Sequence, residues 1–139
     1  MSVTHATPKL MVEDVNRSVA FYVEALGFTF VRGVVQGLRD EVTAWPAAGR
    51  LAFALVASGQ ARLMFQSRAS LAAELPRLAE ARIGGTVVLA LDCDDLDDLY
   101  ARVSERVPFI KAPHLTFYGA RECSFEDING YVLTFAASA

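Results

Sequence analysis

Apolar and polar positions follow the same order in two stretches of the chain, at a fixed offset. Each stretch contains a short apolar run, an acidic residue and then apolar residues at helical spacing. The first stretch consists of Leu10, Val12, Asp14, Val15, Val19, Tyr22 and Leu26; the second, 81 positions later, consists of Leu91, Cys93, Asp95, Leu96, Tyr100, Val103 and Val107. The repeat predicts two similar modules, each beginning with a strand and a helix.

The first half of the chain is predicted to fold as a strand and a helix followed by strands. The helix begins after Asp14, whose carboxylate can accept the free N–H groups of the first turn, and it ends at Gly27. We expect a turn or bend over residues 33–37 and a hairpin turn at 58–60. Strands are predicted at residues 7–12, 28–31, 41–45, 51–56 and 62–66.

The second half repeats this order after a linker. Residues 70–82 are predicted to be helical but interrupted near Pro76. The second main helix is predicted over residues 94–107, with an acidic run at 94–98 that caps its start and faces solvent. A tight turn is expected at 127–130. Strands are predicted at residues 86–92, 109–112 with 115–118, 121–125 and 131–136.

These elements predict an α+β fold built from tandem βαβββ modules, which form a curved mixed sheet around a central hollow. We expect one domain over residues 1–139, with a first module at 1–69, a linker helix at 70–85 and a second module at 86–139. The two modules need one another to bury their apolar faces, so a ligand would occupy the space between them.

Composition narrows the possible partners. The chain has 139 residues, is 53% hydrophobic and carries a formal charge of −3, and its only lysines are Lys9 and Lys111. Without a basic cluster, nucleic acid is not an expected partner. No basic-plus-apolar N-terminal signal and no apolar run of membrane-spanning length is present, so we expect a cytoplasmic protein without a membrane partner. Cys93 and Cys123 lie in apolar runs and are expected to be buried free thiols.

Two segments carry a resemblance to a known family. Residues 9–28 contain Val-x-Asp, Ser-x-x-Phe-Tyr and Leu-Gly-Phe in the order typical of the opening module of the vicinal oxygen chelate superfamily. Residues 118–135 resemble its aromatic-Gly-x-Arg-Glu motif, followed by Asp-x-x-Gly and a closing strand. This superfamily includes glyoxalase I, extradiol dioxygenases, and fosfomycin- and bleomycin-resistance proteins. The resemblance covers the whole chain and implies the fold and a homodimer, but not a reaction.

The resemblance also implies where a metal centre would lie. Metal-dependent members bind a divalent ion through one residue on each of four strands, usually His, Glu or Gln, His and Glu. The matching positions here hold Thr7, Met64, Val88 and Thr134. Thioether and alkyl groups are poor ligands for a hard divalent ion, so we expect no metal, no other cofactor and no catalytic residue. A displaced set would be His5, Gln66, His114 and Glu122, although His5 otherwise belongs to the N-terminal segment and His114 to a loop.

A hollow without metal suits an amphiphilic or aromatic small molecule, held by burial and stacking. The resemblance is closest to the metal-free bleomycin-resistance type, which implies sequestration of a small molecule such as an antibiotic. Two alternatives stay open: a glyoxalase-like lyase, isomerase or dioxygenase with displaced ligands, and a non-catalytic dimeric interaction module. The candidate ligand-binding residues are Trp45, Met64, Phe117, Tyr118, Glu122 and Thr134.

Three of these assignments have competing interpretations. Trp45 could instead pack in the core or in a dimer interface, and Met64 could fill a gap in the core. Adjacent strand residues point to opposite faces, so only one of Arg121 and Glu122 can face the hollow. Glu122 could bind a cationic ligand or form an ion pair at the sheet edge.

Overall fold

The computed structural model describes residues 1–138 and divides the chain into two compact units. The first unit ends at Ala81 and the second begins at Arg82. Each unit contains its own mixed sheet, with five strands in the first and four in the second. The α+β class and the modular order predicted from the sequence are confirmed, with the strands arranged in two sheets.

The first unit has five strands, two helices and one turn of 3₁₀-helix. Its strands lie side by side in the order β1-β5-β4-β2-β3. The elements are β1 (Lys9–Val12), α1 (Val15–Glu24), β2 (Thr29–Val35), β3 (Glu41–Val42), β4 (Leu51–Ser58), β5 (Ala61–Ser67), α2 (Arg68–Glu74) and the 3₁₀ turn Pro76–Leu78.

The second unit has four strands and one helix. Its strands lie in the order β6-β9-β8-β7. The elements are β6 (Val88–Asp92), α3 (Leu96–Val103), β7 (Phe109–Leu115), β8 (Ala120–Glu126) and β9 (Val132–Ser138). No helix within residues 1–138 is long and apolar enough to cross a membrane.

The repeat extends to the register of the strands. In each unit the first strand runs parallel to the last, which then pairs antiparallel with the strand before it. Leu10 lies opposite Phe65 in the first sheet, and Leu91 lies opposite Phe135 in the second. These two pairs occupy equivalent places, so the sequence offset reflects a shared backbone arrangement.

Each sheet buries one face against its own helix. Val19 and Tyr22 of α1 are fully buried, and the ring centroid of Tyr22 lies 4.9 Å from that of Phe65 on β5. In the second unit, α3 buries Leu99 and Val103 through one apolar stripe. Burial of these aliphatic and aromatic side chains is the main force that holds each helix to its sheet.

Both helices begin at the predicted acidic caps. The Asp14 carboxylate accepts the backbone N–H of Arg17, and the Asp95 carboxylate accepts that of Asp98, each at 3.0 Å. The caps satisfy N–H groups that have no partner inside the helix. Helix α3 ends at Val103, earlier than the predicted 107, and residues 104–107 continue as a turn.

Several predicted strand limits are wrong. The strand predicted at 41–45 is only Glu41–Val42, and the two short runs expected over 109–118 are one strand, β7. Gly33 lies inside β2 and not in a turn. A Cβ atom there would lie 2.8 Å from the carbonyl oxygen of Phe53, so glycine allows the close approach of β2 and β4. Strand β1 begins at Lys9 and not at Thr7.

Candidate functional site

The six candidate ligand-binding residues are divided between the two units. Trp45 and Met64 belong to the first unit, whereas Phe117, Tyr118, Glu122 and Thr134 belong to the second.

Trp45 lies beyond the end of β3 and packs against the first unit's core. Its ring centroid is 5.3 Å from that of Phe30, a buried residue of β2 that lies opposite the buried Val56 of β4. The Trp45 side chain is only partly exposed. This placement agrees with the core-packing alternative, and a role for Trp45 as a ligand wall stays a prediction.

Met64 lies on the sheet face opposite α1. Its neighbours along β5, Leu63 and Phe65, are buried on the α1 side, and strand alternation directs Met64 the other way. Met64 is half-buried and lies opposite Lys9 of β1. Gln66 shares this face, is 3% exposed, and donates through Nε2 to the Ser70 hydroxyl at 2.9 Å.

The second sheet packs one face against α3, and alternation along its strands defines the opposite face. Cys123 and Phe125 of β8 and Leu133 and Phe135 of β9 are buried on the α3 side. The residues between them point to the opposite face and are half-buried or exposed. We call this surface the open face of the second sheet. Strand pairing places on it the small or aliphatic side chains of Val88, Ala90, Val132 and Ala136, the hydroxyls of Ser124 and Thr134, and the charged side chains of Asp92, Lys111, Glu122 and Glu126.

Two hydroxyl groups interrupt the aliphatic part of the open face. The Thr134 hydroxyl lies 2.8 Å from that of Ser124, its partner across β8 and β9. On the other side of β9, Thr134 lies opposite Ala90 of β6. The centre of the open face therefore presents a pair of mutually hydrogen-bonded hydroxyls beside small apolar side chains.

Glu122 and Tyr118 form the polar end of this surface. The Tyr118 hydroxyl donates a hydrogen bond to the Glu122 carboxylate, and this bond raises the pKa of Tyr118 above its ordinary value. Phe117 is fully exposed, and its ring centroid is 5.0 Å from that of Tyr118 in an edge-to-face arrangement. The structure thus brings Phe117, Tyr118 and Glu122 together.

His114 joins this group through strand pairing. It belongs to β7, not to the loop expected for it, and lies directly opposite Glu122 of β8. Directly paired residues place their side chains on the same face. The His114 Nδ1 atom donates to the Ala112 carbonyl at 2.9 Å, because a carbonyl oxygen can only accept. Sequence reasoning missed this pairing of His114 with Glu122.

The structure settles which of the two adjacent charged residues lies on the open face. Arg121 donates to the Asp97 carboxylate of α3 at 3.0 Å, so its side chain lies on the helix side of the sheet. Glu122 therefore points to the open face. The acidic run at the start of α3 is a capping and surface feature as predicted, since Asp95 caps the helix and Asp98 pairs with Arg102.

The residues at the four metal-ligand positions do not fit a divalent ion. Met64 and Val88 offer a thioether and an alkyl group, and the Thr134 hydroxyl already bonds to Ser124. Thr7 precedes β1. Within residues 1–138 there is no group of three or more His, Cys, Asp or Glu side chains that could hold a metal.

The displaced ligand set draws two residues from each unit. His114 and Glu122 are strand partners in the second unit, whereas His5 and Gln66 belong to the first. His5 is exposed in the segment before β1, and Gln66 is buried beside Ser70.

Cys93 and Cys123 are free thiols. Cys123 lies on the α3 side of the second sheet, away from the open face. Cys123 is buried, and this burial raises the pKa of its thiol to about 11. Cys93 is partly exposed; burial and the nearby Asp94 carboxylate raise its pKa as well. Both thiols are therefore poor nucleophiles at neutral pH. The prediction of a buried free thiol is confirmed for Cys123, and Cys93 is only partly buried.

Comparison with solved structures shows the fold. A protein of unknown function from Agrobacterium tumefaciens str. C58 is 21% identical with a TM-score of 0.75, over 100% of this chain and 97% of that one. TioX from Micromonospora sp. ML1 is 16% identical with a TM-score of 0.67, over 99% and 100%. A member of the glyoxalase/bleomycin resistance protein/dioxygenase superfamily from Sphaerobacter thermophilus DSM 20745 is 22% identical with a TM-score of 0.69, over 99% and 98%.

The comparison with curated protein sequences found no match. The sequence model of one family, the Glyoxalase/Bleomycin resistance protein/Dioxygenase superfamily, matches residues 2–135, nearly the whole chain. With the repeated βαβββ units and the motifs at both ends of the sequence, this match identifies the chain as a member of the glyoxalase/bleomycin resistance protein/dioxygenase superfamily.

Proposed function

We propose that this protein binds an amphiphilic or aromatic small molecule without a metal ion and sequesters it unmodified. The proposal rests on the residues at the four metal-ligand positions, which are Thr7, Met64, Val88 and Thr134. Alkyl, thioether and hydroxyl groups do not provide the nitrogen and carboxylate donors that a catalytic divalent ion requires. The same side chains suit contact with apolar ligand surface.

The open face of the second sheet supports this proposal. Val88 is 54% exposed, and Ala90, Val132 and Ala136 lie on the same side of the sheet. Burial of such aliphatic surface against a ligand is favourable at roughly 25 cal/mol per Å². The hydroxyl pair at its centre and Glu122 at its end add polar contacts that would fix the orientation of a bound molecule.

A second copy of the chain is proposed as a partner. The edge strand β7 carries the exposed side chains of Ile110 and Leu115, and exposed aliphatic side chains at a sheet edge are typical of surfaces that another protein covers. We expect sedimentation equilibrium at micromolar protein to give twice the chain mass of 15.1 kDa. A mass of one chain throughout this range would contradict the dimer without affecting small-molecule binding.

The binding function is tested with prodan, a neutral fluorescent amphiphile. We expect saturable binding whose Kd changes by less than about twofold when EDTA, Zn²⁺ or Mn²⁺ is present, because no step depends on an ion. Thr134→Arg places a long charged side chain on the open face and should weaken prodan binding at least roughly tenfold. Ala101→Arg, an equal change on the exposed side of α3, is the matched control and should leave the Kd unchanged.

Two results would overturn the proposal. One is the absence of saturable prodan binding by the folded protein. The other is a stoichiometric metal ion in protein purified without chelators, together with loss of prodan binding after its removal. Trp45→Ala separately tests the predicted ligand wall: an unchanged Kd would assign Trp45 to core packing against Phe30 alone.

The competing enzyme function has one favourable observation, the pairing of His114 with Glu122. Imidazole and carboxylate are ordinary ligands of Zn²⁺ and Fe²⁺. His114→Ala and Glu122→Gln would each lower Zn²⁺ affinity at least roughly tenfold if these residues formed a displaced centre. The binding proposal expects weak Zn²⁺ binding that neither substitution changes.

A further inference from the structure

Glu122 is a half-buried carboxylate without a cationic partner. Four ion pairs occur within residues 1–138, and their acids are Glu13, Glu41, Asp97 and Asp98. Among the described residues, Glu122 accepts a side-chain hydrogen bond only from the neutral hydroxyl of Tyr118. A carboxylate has about four lone-pair positions, so most of its accepting capacity is available to a ligand.

Neighbouring groups add further acceptors. The Tyr118 hydroxyl gives its proton to Glu122, which leaves the lone pairs of the phenolic oxygen for another donor. The neutral His114 ring carries its proton on Nδ1, where it bonds to Ala112, so Nε2 is an acceptor. Nε2 forms no hydrogen bond with the part of the chain that the structure describes. The local chemistry therefore favours a molecule that carries several N–H donors.

The aromatic neighbours favour a positive charge as well. Phe117 and Tyr118 lie edge to face with their ring centroids 5.0 Å apart, and both rings are exposed. The face of an aromatic ring carries negative electrostatic potential that attracts organic cations within about 6 Å. A ligand held by Glu122 would lie beside these rings because Tyr118 contacts both Glu122 and Phe117.

Within residues 1–138, no lysine or arginine forms an ion pair with Glu122. Arg121 is adjacent in sequence, but its guanidinium lies on the α3 side with Asp97. Lys111 of β7 lies opposite Ser124 of β8 and so shares the open face, but it forms no ion pair with any of residues 1–138. The acceptors around Glu122 thus remain available to an external positive charge.

We propose that Glu122, Tyr118, His114 and Phe117 form a subsite for the protonated amino or guanidinium group of the amphiphilic ligand. The assignment rests on the proposed function and adds the ligand's charge to it: an organic cation with an apolar body. Glu122 forms charge-assisted hydrogen bonds to the cationic head, and the two rings contact its face. The aliphatic part of the open face contacts the apolar body.

A matched series of probes tests the charge. Phenylbutylamine, phenylbutanol and phenylbutanoate share one apolar body and differ only in a cationic, neutral or anionic head. We expect them to displace prodan in the order amine, alcohol, acid, with the amine at least roughly tenfold tighter than the alcohol. Glu122→Gln keeps the side-chain shape and should remove this advantage while leaving the affinity for the alcohol unchanged.

Two further variants keep the test specific. Glu126→Gln removes the same charge four residues along β8, from a residue without the tyrosine contact, and should preserve the preference for the amine. Tyr118→Phe keeps the ring but removes the hydroxyl that holds Glu122 in place, and should lower amine affinity a few-fold. This variant provides the test if Glu122→Gln fails to fold, as judged by circular dichroism.

The outcomes separate the two proposals. Equal displacement by amine and alcohol, or an amine preference that survives in Glu122→Gln, overturns the cation subsite while small-molecule binding stands. If neither prodan nor any member of the series binds to the dimer, the proposed function fails and the subsite fails with it. Tighter binding of the acid than of the amine would place Lys111, not Glu122, at the ligand's head group.

Discussion

The hydroxyl groups of Ser124 and Thr134 lie 2.8 Å apart on adjacent strands of the second sheet. Both side chains are half-buried on the open face, and each hydroxyl is the other's hydrogen-bond partner. A net contribution of about 1 kcal/mol is usual for such a bond. The pair therefore stabilises the pairing of β8 with β9 at the position that the family's metal ligand would occupy.

Thr134→Val tests this contribution because valine keeps the branched shape and loses only the hydroxyl. We expect the free energy of unfolding to fall by roughly 0.5–1 kcal/mol, measured by urea denaturation. Ser124→Ala should cost a similar amount, and the double variant should cost less than the two single losses combined, since they remove one shared bond. Fully additive losses would mean that the two hydroxyls do not stabilise each other.

Asp127 organises the turn between β8 and β9. Its Oδ1 atom accepts the backbone N–H groups of Asn129 at 2.8 Å and Tyr131 at 2.9 Å, and the residue is buried. Asp127→Ala should lower the free energy of unfolding by roughly 2 kcal/mol, because it leaves buried donors without this acceptor. Asp127→Asn keeps one oxygen acceptor and should recover part of the loss. Equal losses in the two variants would contradict the role of Oδ1.

The two thiols should differ in reactivity in the native state. Cys123 is buried with a pKa of about 11, whereas Cys93 is partly exposed. At pH 8 roughly one Cys123 thiol in a thousand is ionised, and the reacting species is the thiolate. An aromatic disulfide reagent should therefore modify Cys93 first and Cys123 only after unfolding in guanidinium chloride. If both cysteines of the native chain reacted rapidly with the reagent, the burial of Cys123 would be contradicted. Cys93→Ala identifies which of the two cysteines reacts.

The turn and the register around Thr134 could be predicted from the sequence. The residues 127–130 specify a tight turn, and a tight turn fixes which residues of β8 and β9 face each other. The helix caps at Asp14 and Asp95 and the equivalence of Met64 with Thr134 follow from the same local signals and from the repeat. The turn and the helix caps depend on residues close in sequence, and the equivalence of Met64 with Thr134 depends on the repeat, so the sequence pattern specifies all of them.

The pairing of His114 with Glu122 could not be predicted in this way. Pro113 interrupts the apolar pattern, so the predicted strand stops at residue 112 and His114 falls in a loop without a strand partner. In the structure β7 continues through Pro113 to Leu115, and its pairing with β8 contains two register shifts between Phe109 and His114. Trp45 was ambiguous for another reason, because the apolar ring surface that would stack on a ligand also packs on Phe30. Its environment depends on a short β3 that apolar patterning did not specify.

Cys123 should make the stability of the protein depend on pH in the alkaline range. Burial raises the pKa of this thiol from 9.0 to about 11, so the folded chain retains a proton that the unfolded chain releases. The favourable contribution is complete below pH 9 and declines as the pH rises from 9 towards 11. We expect wild-type stability to lose about 1.4 kcal/mol through this group by pH 10.

Cys123→Ala removes the titrating group, so its free energy of unfolding should fall less steeply between pH 8 and pH 10, even if its value at pH 8 is lower because a small cavity is created. Cys93→Ala retains Cys123 and should keep most of the wild-type slope. Urea denaturation of the three proteins at matched pH measures this difference, and parallel slopes for wild type and Cys123→Ala would show that the Cys123 thiol does not contribute.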